Sequence, residues 1–208
     1  MNDDKGPVLV FHVPAGGGHR AAARAIEEAG RERGVEVEVV DALSLAPTWF
    51  AKAYVDAHLF GSGQTPTIYG TAFALSNRAD PGRDRMRAAL DHAVGRAMVA
   101  YVRERRPRAI VATHFYPLME LGALRLAGEL DAPLVAVVTD YVTHAVWCAP
   151  GVDAFCTAPG RAALDVARHG AKAPVFETGI PVRPAFGRAP RWVEPRRLAS
   201  AGHRRGAG

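Results

Sequence analysis

The sequence has little cysteine: only Cys148 and Cys156 among 208 residues. Two cysteines cannot form the disulfide framework that stabilises small secreted domains. The chain opens with Met-Asn-Asp-Asp-Lys, an acidic start that lacks the positively charged region of a secretory signal. We therefore expect a protein of the reducing cytoplasm.

Long apolar runs without charge are also missing. The longest charge-free stretch, residues 57–77, is interrupted by three glycines and a proline, which makes it a poor membrane span. Hydrophobic residues make up 49% of the chain and charged residues 23%, a balance typical of globular rather than disordered proteins.

Acidic residues are nearly absent from the C-terminal end. From Arg183 onward the chain has seven arginines and one acid, Glu194, so the preceding residues carry about as much negative as positive charge. The net charge of +5 is therefore mostly a property of the tail, and the body gives little support to nucleic-acid binding. Residues 187–208, rich in Arg, Pro, Gly and Ala, are predicted to be a disordered tail.

Apolar runs that alternate with helical patterns predict an α/β fold. Several runs are apolar throughout, which is typical of strands buried on both faces of a parallel sheet. A long helix is predicted over 81–106, and another from about 117 to 130. Residues 1–186 are thus predicted to form one Rossmann-like three-layer domain with a mostly parallel sheet. The predicted strands are 7–13, 35–40, 109–112, 133–138, 154–157 and 174–177.

A triple glycine, Gly16-Gly17-Gly18, follows the first predicted strand and precedes a helix. Free N–H groups and the positive end of the helix dipole suit phosphate at such a position. No Lys-Ser/Thr pair follows, so this is not a Walker A loop. Gly16, Gly18 and Ala21 do match G-x-G-x-x-A, with Asp41 twenty residues later. A dinucleotide-dependent oxidoreductase is therefore one alternative.

His19 falls in the first turn of that helix, where the dipole favours the neutral imidazole. It is either a general base or a polar residue facing solvent. Asp140 follows an apolar strand and either orients His19, acts as base itself, or caps a helix. His114 is either a cleft residue or a packed core histidine.

Asp140, His144 and Cys148 recur at intervals of four, a spacing that could hold zinc on a helix. However, Pro150 and Gly151 follow at once, and no second pair of ligands stands nearby. We predict no metal site.

Five segments together carry a family resemblance. They are 16–23 (GGGHRAAA), 39–43 (VVDAL), 113–117 (THFYP), 138–147 (VTDYVTHAVW) and 178–183 (TGIPVR). Over about residues 8–186 the sequence resembles the N-terminal domain of the monogalactosyldiacylglycerol synthases and processive diacylglycerol glucosyltransferases, which are similar to glycosyltransferase family 28.

This resemblance implies the N-terminal half of a GT-B fold, which binds the acceptor lipid. The implied reaction moves a hexose from a UDP-sugar to diacylglycerol with inversion, without a cofactor. It also implies a peripheral protein on the inner face of the cell membrane. The donor-binding domain is absent from the chain, so we expect inactivity unless a separate donor chain supplies it. A non-catalytic module that binds lipid surfaces is the alternative.

The resemblance also implies roles for particular residues. His19 would be the base, assisted by Asp140, and the glycines would lie near the donor phosphates or sugar. Some of the aromatic residues would instead pack against the sheet. The predicted acceptor or membrane residues are Trp49, Phe50, Tyr54, Phe60, His144 and Trp147.

Overall fold

The computed structural model describes residues 6–14, 17–62 and 95–187, and only the backbone of 57–62 and 187. Within these ranges six strands form one sheet. The strands are β1 (Gly6–His12), β2 (Val37–Asp41), β3 (Pro107–Ala112), β4 (Leu134–Val137), β5 (Ala154–Cys156) and β6 (Val175–Phe176).

Helices connect and cover these strands. The α-helices are α1 (Gly17–Glu32), α2 (Thr48–Ser62), α3 (described over 95–105), α4 (Phe115–Leu126), α5 (Arg161–Arg168) and α6 (Pro184–Gly187). Two short 3-10 helices cover Ala42–Leu45 and Ala145–Trp147.

The sheet has the order β2-β1-β3-β4-β5-β6, and every neighbouring pair is parallel. Strand β1 lies between β2 and β3, and its residues Leu9, Val10 and Phe11 are fully buried. This burial explains why the run is apolar on both faces, as a strand between two helical layers must be. The predicted α/β fold with a parallel sheet is confirmed.

Helix α1 lies against the sheet through its small residues. Ala22, Ala23 and Ala25 are buried, while Arg20 and Arg24 on the same helix are exposed. Near the end of α1, a Cβ on Gly30 would approach the Val37 side chain of β2 to 2.4 Å. The missing side chain at this glycine thus lets the end of α1 pack closely against β2.

The strand order reverses between β1 and β3. From β1 the chain moves to β2 on one side of the sheet, and later strands add on the other side. In open α/β sheets ligands bind outside the carboxyl ends of the strands at such a switch point. The residues that follow β1, β3 and β4 are therefore those to inspect for a site.

Several element boundaries differ from the predicted ones. Helix α4 ends at Leu126 rather than near residue 130, because Gly128 adopts a left-handed conformation (φ +72°) that stops it. The long helix predicted over 81–106 is seen over 95–105, and its first part lies outside the described residues. The predicted tail, 187–208, also lies outside the described residues, except for residue 187. Within the described ranges no helix has the length and apolar character to cross a bilayer.

Candidate functional site at the carboxyl edge of the sheet

His19, the third residue of α1, lies half-buried at the switch point. Its Nδ1 is 2.7 Å from the backbone oxygen of Thr113 and 2.8 Å from Oγ1 of Thr139. A carbonyl oxygen only accepts hydrogen bonds, so Nδ1 carries the proton in this arrangement. The neutral ring then has its lone pair on Nε2, as a general base requires.

Thr113 joins three elements at this point. Its hydroxyl is 2.9 Å from the backbone oxygen of His19 and 3.2 Å from that of Phe11. Its side chain is fully buried, immediately after β3. Thr113 therefore ties the start of α1 to β1 and β3, and the position of His19 follows from the sheet rather than from a loop.

His114 is buried beside His19, with the two rings edge to face and their centroids 4.6 Å apart. It is the N-cap of α4, where Nδ1 accepts the N–H of Tyr116 at 3.1 Å. Its Nε2 lies 3.2 Å from the hydroxyl of Tyr54. The sequence left open a cleft or a core position, and the structure gives His114 a buried position in contact with His19.

The loop after β4 places Asp140 and Trp147 together. The indole Nε1 of Trp147 donates to Oδ2 of Asp140 at 2.8 Å. Trp147 is fully buried, and its ring centroid is 6.4 Å from that of His19. His144 is also buried and caps the short helix Ala145–Trp147 by accepting the N–H of Val146. Trp147 and His144 are thus interior residues, and Trp147 is the one whose ring lies near His19.

Asp140 was expected to orient His19 or to act as base. In the structure its carboxylate holds Trp147, and the contacts at Nδ1 of His19 come from Thr113 and Thr139. Both threonines directly follow apolar strands. Sequence reasoning missed their role, although a hydroxyl residue at the end of a buried parallel strand is a usable signal.

The predicted aromatic group divides between surface and interior. Trp49 is 61% exposed in the first turn of α2. Phe50 and Tyr54 are half-buried, with ring centroids 5.6 and 6.3 Å from that of Tyr116. As the sequence allowed, some of these residues pack on the fold. The side chain of Phe60 lies outside the described residues.

The glycine loop is described only in part, because Gly16 lies outside the described residues. Gly17 and Gly18 begin α1 and are exposed. A Cβ at either position would meet no described atom within 4 Å. The first turn of α1 thus presents its backbone N–H groups where a ligand can approach.

Asp140, His144 and Cys148, spaced by four residues, do not lie on one helix, since only Ala145–Trp147 in this segment is helical. The Cys148 thiol lies 3.7 Å from the backbone oxygen of Val166, and burial raises the pKa of this thiol to about 11. No cluster of three or more potential ligands occurs within the described ranges.

Asp41, the acid of the alternative dinucleotide site, accepts the N–H of Leu43 at 2.9 Å and caps the first 3-10 helix. Its carboxylate therefore has a local structural role that accounts for an acid at this position.

Comparison with known proteins identifies the family of this chain. The family model described as monogalactosyldiacylglycerol (MGDG) synthase matches residues 19–182, from His19 through the loop that holds Asp140 and Trp147. The chain belongs to the MGDG synthase family. The resemblance stated from sequence motifs is therefore confirmed.

Individual relatives of this MGDG synthase family member are distant. A processive diacylglycerol β-glucosyltransferase of Bacillus cereus (strain B4264) is 22% identical over 189 residues, and one of Bacillus cytotoxicus is 25% identical over 193 residues. Each match covers 86% of this chain and 46% of the relative, so the chain spans about half the length of these relatives. No solved structure matches the chain.

Proposed function

We propose that this chain is the acceptor-binding part of an inverting glycosyltransferase that moves a hexose from a UDP-sugar to diacylglycerol. The family assignment and the names of the relatives, which are diacylglycerol glucosyltransferases, support the substrate class. The observation that carries the proposal is the 2.7 Å contact between Nδ1 of His19 and the carbonyl oxygen of Thr113. Because a carbonyl oxygen only accepts, we infer that Nδ1 carries the proton and that Nε2 is the basic nitrogen.

In the proposed reaction, Nε2 of His19 takes the proton of the primary hydroxyl of diacylglycerol. The hydroxyl oxygen forms a bond to the anomeric carbon of the sugar as the bond from that carbon to UDP breaks. UDP leaves with the electron pair, and a single displacement inverts the anomeric centre. A positioned base accelerates such a step by about 10²–10⁴-fold. The imidazolium then returns its proton to solvent.

The other histidines at this edge are less suited to act as bases. Nδ1 of His114 and Nδ1 of His144 each accept a backbone N–H. A backbone N–H only donates, so both rings carry their proton on Nε2. The lone pair of each ring is on Nδ1, where the hydrogen bond to the backbone N–H already uses it. This contrast favours His19 among the three.

Donor binding is proposed to come largely from outside the described residues, since the chain spans about half the length of its relatives. The exposed first turn of α1, with Gly17 and Gly18, would face the leaving diphosphate. Main-chain N–H groups and helix dipoles stabilise such a charge, and the proposal includes neither a metal nor a cofactor. A separate donor chain is proposed as a partner that supplies donor binding.

The membrane surface is the proposed location, on the inner face of the cell membrane. Trp49 follows β2, and Tyr141 and Val142 follow Asp140, so all three come after the carboxyl ends of strands. They are 61%, 75% and 48% exposed. Exposed aromatic and aliphatic side chains suit the headgroup boundary of a bilayer, where the acceptor lipid resides.

Glycolipid formation tests this proposal directly. The purified chain is combined with diacylglycerol vesicles and UDP-glucose or UDP-galactose, with and without the C-terminal half of the Bacillus cereus relative. In an active combination, His19→Ala should reduce turnover at least a hundredfold, because the base is lost. Arg24→Ala, at an exposed position of the same helix, serves as the matched control.

Near-normal turnover of the His19→Ala protein would remove His19 as the base. The lipid-surface module is the second candidate, and the exposed side chains at this edge favour it as well. Vesicle binding without glycolipid in any combination would support that candidate over the enzyme.

A further inference from the structure

The loop after β4 contributes one side chain directly to His19. Thr139 is 120 positions from His19 in the sequence, yet its hydroxyl oxygen is 2.8 Å from Nδ1. The Thr113 carbonyl, at 2.7 Å, is a second acceptor at the same nitrogen. The Nδ1–H group thus lies between two oxygens from two different strand ends.

We propose that Thr139 is a positioning residue that, together with the Thr113 carbonyl, holds His19 as the Nδ1–H tautomer and stabilises its imidazolium form. The inference rests on the proposed function only where it makes that imidazolium a reaction intermediate. The contact itself is a property of this chain.

The physical reason lies in the charge that His19 gains. When Nε2 takes a proton, the Nδ1–H becomes part of a cation, and hydrogen bonds from a charged donor are about twice as strong as neutral ones. Thr139 thereby stabilises the protonated ring more than the neutral ring. It makes the ring more basic without touching the substrate.

The surroundings of Thr139 give it little freedom to move away. Val138, its neighbour, is fully buried and donates its N–H to the backbone oxygen of Cys156 at 2.8 Å. Four residues on, the hydroxyl of Thr143 donates to the backbone oxygen of Ala162, and Nε2 of His169 donates to the backbone oxygen of Thr143. The loop is therefore held by both β5 and α5.

Titratable side chains come from two segments that neighbour His19, α4 and the loop after β4. His114 contacts it edge to face from α4, and Asp140 lies in the loop after β4, where its carboxylate accepts the indole N–H of Trp147. On the helix of His19 itself, Arg20 is the adjacent charged side chain and is exposed. The helix caps made by His114 and His144 do not involve the Thr139 hydroxyl, and neither does the hydrogen bond between Trp147 and Asp140. Removal of the Thr139 hydroxyl therefore tests a single interaction.

The experiment is a nitrogen-15 NMR titration of the histidine side chains in the full chain, with His19→Gln used to assign the His19 signals. Above the titration of the ring, His19 should show a protonated Nδ1 and an unprotonated Nε2. His114 and His144 should show the opposite tautomer and so act as internal references. A His19 ring protonated on Nε2 would overturn the proposal without any variant.

Thr139→Val removes the hydroxyl and keeps the branched shape. Loss of one hydrogen bond to a charged group should lower the titration midpoint of His19 by about one pH unit. Thr139→Ser, which keeps the hydroxyl, should restore the midpoint to within about a third of that shift. An unchanged midpoint in Thr139→Val would overturn the role of Thr139.

Thr143→Val is the matched control, since it removes another hydroxyl from the same loop that does not touch His19. If it lowers the His19 midpoint as much as Thr139→Val does, the effect is general loosening and the proposal fails. If Thr139→Val does not fold, two other results test the proposal: the tautomer of His19 in the natural protein and the titration midpoint of His19 in Thr139→Ser. A lowered His19 midpoint in a folded Thr139→Ser protein would contradict the proposal. The NMR result stands whether or not any glycolipid is formed, so failure of the proposed function is distinguishable.

Discussion

At the scale of single residues, three of the histidines near the carboxyl ends of the strands differ by the atom that Nδ1 of each ring faces. Nδ1 of His19 faces a carbonyl, whereas Nδ1 of His114 and Nδ1 of His144 face backbone N–H groups. These neighbours decide the tautomer, and the tautomer decides which ring can accept a proton from a substrate. The residue type alone, which is all that a motif supplies, does not separate them.

His12 leads to a prediction on acid stability. It is buried at the end of β1, and burial lowers its pKa from the ordinary value of 6.5, a shift that the nearby Asp41 only partly opposes. Below that ordinary value the unfolded chain binds a proton that the folded chain resists, so stability falls as the pH decreases through this window and is regained at neutral pH.

Urea denaturation at pH 7 and pH 5 measures this effect. His12→Gln should show a smaller loss of unfolding free energy between the two pH values than the natural sequence. The half-buried His169 at the C-cap of α5 supplies the control variant, His169→Gln. Equal losses in the natural protein and His12→Gln would contradict the prediction.

Cys148 leads to a prediction on thiol reactivity. With a pKa of about 11, only about one thiol in a thousand is ionised at pH 8. In a Cys156→Ser protein, which leaves Cys148 as the only thiol, iodoacetamide should therefore react far more slowly in the folded state than in denaturant. Mass spectrometry follows the adduct, and alkylation at equal rates in both states would refute the prediction.

At the scale of elements, the loop that follows the 3-10 helix Ala145–Trp147 is set by backbone contact with α4. A Cβ on Gly122 would lie 2.2 Å from the backbone oxygen of Pro150, and one on Gly151 would lie 2.1 Å from the backbone oxygen of Gly122. Gly151 also has φ +83°, a conformation that favours glycine. Because Gly122 and Gly151 have no side chains, the backbone of this loop can lie directly against the backbone of α4. The contact comes directly after the segment that contains Asp140 and Trp147.

Gly122→Ala should therefore destabilise the protein by about 1–3 kcal/mol, since the extra methyl group meets backbone rather than a flexible side chain. Thermal and urea unfolding measure the change. Leu126→Ala, at an exposed position on the same helix, should change stability by no more than about 0.5 kcal/mol. A Gly122→Ala protein as stable as Leu126→Ala would show that the loop shifts without cost.

The elements were largely predictable because the signal for each is local. Continuous apolar runs identified β1, β3 and β4, and the small-residue face of α1 was visible in its alanines. Helix α4 was predicted too long, since the left-handed Gly128 carries no distinctive signal beyond being a glycine. The partners of His19 were not predictable, because they depend on strand order and register rather than on neighbouring residues.

At the scale of the whole molecule, apolar side chains are exposed near both the carboxyl and the amino ends of the strands. The candidate site around His19 lies at the carboxyl ends only. Trp49 and Tyr141 come after the carboxyl ends of β2 and β4, whereas Leu126 is exposed at the far end of α4. A helix that connects parallel strands runs back toward their amino ends, so Leu126 lies at the opposite edge. The chain therefore offers a matched pair of surface positions.

Trp49→Ala should weaken binding to diacylglycerol-containing vesicles about tenfold, because an interfacial aromatic residue is lost. Leu126→Ala should leave binding unchanged although it removes a residue of similar exposure. Co-sedimentation with vesicles measures both, and unfolding temperatures exclude loss of structure. Equal binding by Trp49→Ala and the natural protein would place the lipid-facing surface elsewhere.

The long sequence separations within the His19 contacts have a consequence for how the protein matures during synthesis. The imidazole meets partners 94 and 120 positions downstream, at the ends of two further strands. While translation has not yet delivered Thr139, the ring has no complete set of acceptors, however well the first helix has formed. The contacts of His19 are thus completed late, as a property of the assembled sheet, and interactions of this range are also the slowest to form during folding.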